Sequence, residues 1–128
     1  MDDVSKVQIR EDQKKHYYSW QQIEQLIKEK LPEIKKENYE NIYGIPRGGL
    51  IIATILCYQL NLPIVMDKKE ITQKTLIVDD ICDSGETLKE FSQRDTFTVF
   101  HKREAQTTPK YYSKLINQET WIVFPWEE

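Results

Sequence analysis

An apolar run, Leu76-Ile77-Val78, stops at two adjacent carboxylates, Asp79 and Asp80; Ile81-Cys82 follow, and then the small, hydroxyl-bearing stretch Asp83-Ser84-Gly85-Glu86-Thr87. Paired acids at the end of a strand can accept hydrogen bonds from vicinal hydroxyls, or hold Mg2+ through water. Gly85 lets a backbone turn with its amides facing inward, and Ser84 and Thr87 add hydroxyl donors. A helix starting there presents free N–H groups and the positive end of its dipole to an anion. Taken singly, each part has a plainer use: one acid caps the next helix and the other is solvated, and Asp83 or Ser84 is an ordinary N-cap. Adjacency separates the two readings, because a diol site and a phosphate site in this order stand about one ribose apart.

A second turn of the same kind is Pro46-Arg47-Gly48-Gly49. Its glycines allow close approach of the backbone, and Arg47 can grip a phosphate with two parallel bonds. The alternative is a simple strand-to-helix turn with an exposed Arg. Two anion turns on one sheet edge, with carboxylates between them, point to a ligand phosphorylated at two places. Lys102 and Trp121 complete the candidates. Lys102 follows one strand and Trp121 enters the last, although the one also fits a solvated loop and the other a core.

These residues need a scaffold. Ser19 can cap a helix with apolar positions Ile23, Leu26, Ile27, Leu31 and Ile34, which Pro32 ends or kinks. A short strand at residues 41–45 precedes the Arg47 turn. Residues 50–60 read as a buried helix, and Pro63-Ile64-Val65-Met66 starts a strand. Residues 67–74 are a short polar connection and 75–78 a strand. Residues 84–93 read as a helix, 96–100 as a strand, 101–114 as a polar excursion and 120–124 as the last strand. Short apolar strands alternating with helices predict an α/β fold with a mostly parallel sheet, which binds ligands at the carboxyl ends of its strands. Residues 1–16 are expected to form a tail or an edge strand around Lys6–Arg10, and residues 17–128 a single domain.

The bulk numbers fit that picture. The chain has 128 residues, 39% hydrophobic and 30% charged, as a soluble globular domain has. A net charge of −3 gives no bulk attraction to nucleic acid. No apolar stretch is long enough for a bilayer, so no membrane partner is expected. Cys57 and Cys82 have no metal-ligand spacing, and the acidic start lacks a secretory core, which together indicate a reduced, cytoplasmic protein.

The stretch Leu76–Thr87 resembles the phosphoribosyl-pyrophosphate (PRPP) signature of the type I phosphoribosyltransferases, and Ile45–Leu50 is similar to that family's pyrophosphate loop. Within the family the likeness is greatest to bacterial xanthine-guanine phosphoribosyltransferases. It includes Tyr18-Ser19-Trp20, Phe100-His101-Lys102, Thr120-Trp121-Ile122 and Pro125-Trp126, and it covers most of the chain after about residue 17. The resemblance implies a Rossmann-like α/β fold, a mostly parallel sheet flanked by helices with a minimal hood. It implies transfer of 5-phosphoribosyl from PRPP to a 6-oxopurine (guanine, xanthine or hypoxanthine) with release of pyrophosphate, in purine salvage. Asp79 and Asp80 would hold the ribose hydroxyls, partly through Mg2+; Asp83, Ser84, Gly85, Glu86 and Thr87 would complete the ribose-phosphate site. Arg47 and Gly48 would hold pyrophosphate. Asp83 would be the catalytic group at the base's imidazole nitrogen, and Lys102, Trp121 and the Ile122 backbone would bind the base. The resemblance also implies a homo-oligomer, dimer or tetramer. The family closes its site with a mobile loop before the signature strand, where this chain has only Asp67–Lys74. That shortness motivates the alternative of a non-catalytic regulatory module binding PRPP or a nucleotide. A phosphoacceptor receiver domain fits less well, because its paired acids follow the first strand, whereas these come late.

Overall fold

The computed structural model describes residues 8–10 and 14–127. A five-stranded parallel sheet forms its centre, in the order β4 (Ile64–Val65), β3 (Asn41–Gly44), β5 (Thr75–Cys82), β6 (Asp95–Lys102), β7 (Tyr111–Ile116). The chain leaves β3, winds outward to β4 and returns to β5 on β3's other side. The strand order therefore reverses between β3 and β5, and the loops after those two strands open a crevice at the carboxyl ends of the sheet.

Both faces are covered, as the apolar strands require. Helices α1 (Trp20–Lys35) and α2 (Gly48–Leu60) pack on the face carrying Ile42, Leu76, Val78 and Phe97. The opposite face carries Tyr43, Ile77 and Cys82 under Leu88 and Phe91. Ser19 begins α1 with a reciprocal cap: its Oγ accepts from the Gln22 N–H and the Gln22 Oε1 accepts from the Ser19 N–H. Of the two outcomes expected of Pro32, ending or kinking the helix, the first does not occur: α1 continues to Lys35. The buried stripe Ile23, Ile27, Leu31 and Ile34 runs past the proline, and packing on the sheet outweighs the one lost backbone bond.

Two further expectations are corrected. The helix after the acidic turn, expected over 84–93, is only α3 (Glu86–Lys89). The chain then tightens into i→i−3 bonds, Phe91 N–H to Leu88 O and Ser92 N–H to Lys89 O, and is released to β6. The 101–114 excursion is strand at both ends, with an irregular loop over 103–110 between them. β6 runs on through Lys102, and β7 pairs Phe97 with Tyr111 and Lys102 with Ile116. The polar pair Ser113-Lys114 hid a strand whose ends, Tyr111 and Ile116, are buried; the Ser113 hydroxyl donates to Leu26 O of α1.

A small second sheet stands over one end: β1 (Gln8–Arg10) antiparallel to β2 (Lys15–Tyr17), and β2 parallel to β8 (Trp121–Val123). Lys6, where the edge strand was expected to begin, lies outside the described residues. Among those residues no helix is long and apolar enough to cross a membrane.

Candidate functional site

The crevice between β3 and β5 is a cleft of about 890 Å³. Its lining includes Arg47 and Gly48 from the first turn, Asp79 and Asp80 from the end of β5, and Asp83, Ser84, Gly85 and Thr87 from the second turn. The fold thus brings together both anion turns and the acids between them.

Asp79 and Asp80 lie within β5, not after it, yet both line the cleft. Asp79 Oδ1 accepts from the Asp80 N–H at 2.8 Å and Asp80 Oδ1 from the Ile81 N–H at 2.8 Å. Burial, and after it the neighbouring Asp80 carboxyl, pushes Asp79 up to about 8. Burial raises Asp80 too. The protein therefore leaves this pair's negative charge poorly compensated, which suits a hard divalent cation. Among the described residues no cluster of three or more His, Cys, Asp or Glu could hold a metal alone. Two carboxylates completed by ligand oxygens and water is how Mg2+ is commonly held, so the donor set fits that ion.

The Ser84–Thr87 turn depends on Gly85, whose φ is +89°, a left-handed conformation that side chains resist. The Glu86 N–H donates to Ser84 Oγ, while the Glu86 carboxylate turns away from the cleft to Lys89 at 3.2 Å. A helix as short as α3 contributes little dipole, so the turn's own amides and hydroxyls carry most of any anion binding.

The base-side candidates are less gathered. Lys102, at the end of β6 with only 12% of its side chain exposed, pairs with Asp83 Oδ1 at 3.2 Å. Trp121 is 57% exposed, and the Lys15 ammonium stands 4.3 Å from its ring centre. The Ile122 side chain is buried in the core. Its backbone faces elsewhere: the Trp121 N–H bonds Lys14 O and Val123 O accepts from the Tyr18 N–H, so strand alternation turns the Ile122 amide and carbonyl to the opposite edge of β8.

In the sequence Trp126 stands out only as part of the family likeness, and nothing there singles out Glu127. Both line the cleft. Trp126 stacks on Phe124, with centroids 4.7 Å apart and planes 12° apart, and Trp20 flanks it at 5.5 Å. Glu127 Oε1 accepts from the Phe124 N–H. No local signal placed these chain-end residues beside Asp80.

The connection before β5 is a capped 3-10 turn, Lys68–Glu70, in which Asp67 accepts from the Lys69 N–H. Lys68 is tied to Glu90 at 2.6 Å, and Ile71 packs on the second core cluster. None of residues 67–74 lines the cleft.

No family model matches the chain. It is 26% identical over 138 residues to a xanthine-guanine phosphoribosyltransferase of Idiomarina loihiensis, covering 87% of this chain and 86% of that one. A crystal structure of a purine phosphoribosyltransferase from Pyrococcus horikoshii superposes with a TM-score of 0.77 at 27% identity, covering 90% of this chain and 95% of that one. The xanthine-guanine-hypoxanthine phosphoribosyltransferase of Helicobacter pylori shares the fold, with a TM-score of 0.75 at 19% identity over 88% and 92% of the two chains. The fold is that of the type I phosphoribosyltransferases, and the resemblance read in the signature stretch holds over most of the chain.

Proposed function

We propose that this chain is a purine phosphoribosyltransferase that moves a 5-phosphoribosyl group from PRPP to a 6-oxopurine, giving a nucleotide and pyrophosphate in purine salvage. The observation that carries the reading is the single cleft uniting Arg47 and Gly48, Asp79 and Asp80, and Asp83 with the Ser84–Thr87 turn. Relatives in both sequence and structure bear that activity in their names.

In this reading the Ser84–Thr87 turn, including the Glu86 amide, holds the 5-phosphate, and Arg47 and the Gly48 backbone hold pyrophosphate. Asp79 and Asp80 accept hydrogen bonds from the ribose hydroxyls and are the groups that would hold Mg2+. When bound, that ion supplies charge stabilisation to the departing pyrophosphate. The bond from the anomeric carbon to the pyrophosphate oxygen breaks, and its electron pair leaves with pyrophosphate. A bond from the same carbon to the base nitrogen forms, and Asp83 takes the proton that nitrogen loses. Lys102 donates to the base's exocyclic oxygen, Trp121 covers the ring and the outward Ile122 backbone reads its edge. Positioning and electrostatics carry the rate.

The reading includes a cytoplasmic setting, in keeping with the two free thiols, Cys57 and Cys82. It also includes a homo-oligomer, and residues 17–128 as one domain edged by the N-terminal strand. PRPP and a purine are the partners; neither nucleic acid nor membrane has a part.

The test is incubation with Mg2+, PRPP and, separately, guanine, xanthine, hypoxanthine and adenine. Nucleotide from a 6-oxo base is expected. Tight PRPP binding with no product from any base leaves the binding-module alternative instead.

A further inference from the structure

Asp83 is held from two sides through one oxygen. Its Oδ1 lies 3.2 Å from Lys102 Nζ and accepts from Gln118 Nε2 at 3.3 Å. Gln118 sits in the turn between β7 and β8, far from the acidic turn in sequence. Its amide is not free to rotate, because Gln118 Oε1 accepts from the Glu104 N–H at 3.1 Å. With the oxygen committed there, only the NH2 end can face Asp83, and a carboxylate accepts from it. The turn carrying Gln118 is itself pinned to the loop after β6. The Arg103 N–H donates to Ile116 O at 3.0 Å and Arg103 Nε to Asn117 Oδ1 at 3.2 Å.

The same loop braces the phosphate turn. The Gln106 N–H donates to Ser84 O at 2.8 Å, and Cys82 Sγ donates to Thr107 O at 3.2 Å. Residues 103–110 must return from the end of β6 to the start of β7 without a helix, which stretches them along the sheet face past both turns.

We infer that Gln118 is a positioning residue for Asp83, and that its contact selects Asp83 Oδ2 as the oxygen that receives the proton from the base. The inference rests on the proposed function. Asp83 is 61% exposed, so without a tether its carboxylate would sample several rotamers. Two donors on Oδ1 fix it, and among the described residues Oδ2 has no hydrogen-bond partner. Lys102 alone cannot do this, since in the proposed reaction its ammonium also serves the exocyclic oxygen. Gln118 remains on Oδ1 when Lys102 turns to the base.

The decisive variant is Gln118→Glu, which keeps an oxygen for the Glu104 N–H but replaces the donor facing Asp83 with a second carboxylate oxygen. Expected is a fall of about tenfold or more in kcat/KM for the base, with KM for PRPP within about twofold and an unshifted melting temperature. A base kcat/KM within about twofold of wild type overturns the inference, and so does a parallel loss of PRPP binding and thermal stability, which marks a merely structural residue. A second readout needs no turnover: the Gln118 side-chain amide proton signals should move in Asp83→Asn. Unmoved signals refute the contact even if the chain proves inactive on every base, a result that would separately sink the proposed function.

Discussion

The Gly48 backbone lies so close to the Asp80 carboxylate that a methyl group added at Gly48 would overlap the carboxylate oxygens. The Arg47-Gly48 turn and the acids of β5 are therefore one unit: the space a side chain at Gly48 would need is the space Asp80 occupies. Gly48→Ala must push Asp80 aside or shift the turn. We expect kcat/KM to fall about a hundredfold while the chain still folds, because a displacement near 1 Å at reacting groups costs on that order. Steady-state kinetics with circular dichroism check this; near-wild-type activity would show that the contact is slack.

Asp79→Asn should remove activity yet stabilise the unliganded protein. The wild-type carboxyl is raised from 3.8 to about 8, so across that window the folded state holds a proton that the unfolded state lacks. Stability of the free protein accordingly falls as pH rises from about 4 to 8. The variant escapes this loss. Its melting temperature in chelator should exceed wild type's by about 4 °C at pH 8, with the gap closing near pH 4.

At the opposite end of the sheet the sign reverses. Burial pulls Asp95 upward, but the Tyr39 hydroxyl at 2.6 Å and Lys110 at 3.1 Å outweigh it and hold the carboxyl below its usual range. Its contribution is present above the unfolded value and is lost as pH falls through the lower folded one. Asp95→Asn should cost about 1 kcal/mol at pH 7 in urea unfolding, after discounting for its partial exposure, and less once the pH falls below the ordinary carboxylate range. A cost that grew on acidification would contradict this account.

Lys68 tests whether the segment before β5 covers the site. It pairs with Glu90 on the surface, and its turn does not line the cleft. Lys68→Ala should leave kcat/KM within about twofold of wild type, as the loss of an exposed ion pair usually does. A large fall in kcat would mean that the segment closes over the ligand after all.

How much of this was legible follows from how local each signal is. The turn after β5 could be read because acids, glycine and hydroxyls lie side by side, and the Arg47 turn because glycines mark it. Alternation of strand and helix gave the parallel sheet, whose strand reversal brings the two turns together. The length of α3 was not legible: nothing between Glu90 and Gln93 breaks a helix, and only the return to β6 cuts it short. β7 was hidden by the polar pair Ser113-Lys114, the first of which turns its hydroxyl to Leu26 O of α1. Trp126 and Glu127 reach the cleft because β8 ends beside it, and Gln118 meets Asp83 across two connections. Such contacts arise from tertiary placement, which no spacing in the chain encodes.

The most direct measurement follows nucleotide and pyrophosphate together, from one mixture of the wild-type chain, PRPP, Mg2+ and a single 6-oxopurine. The account predicts that both appear in equal amounts with guanine, xanthine or hypoxanthine, and that neither appears with Asp79→Asn. Saturable PRPP binding with no pyrophosphate released in the presence of any of these bases would contradict it.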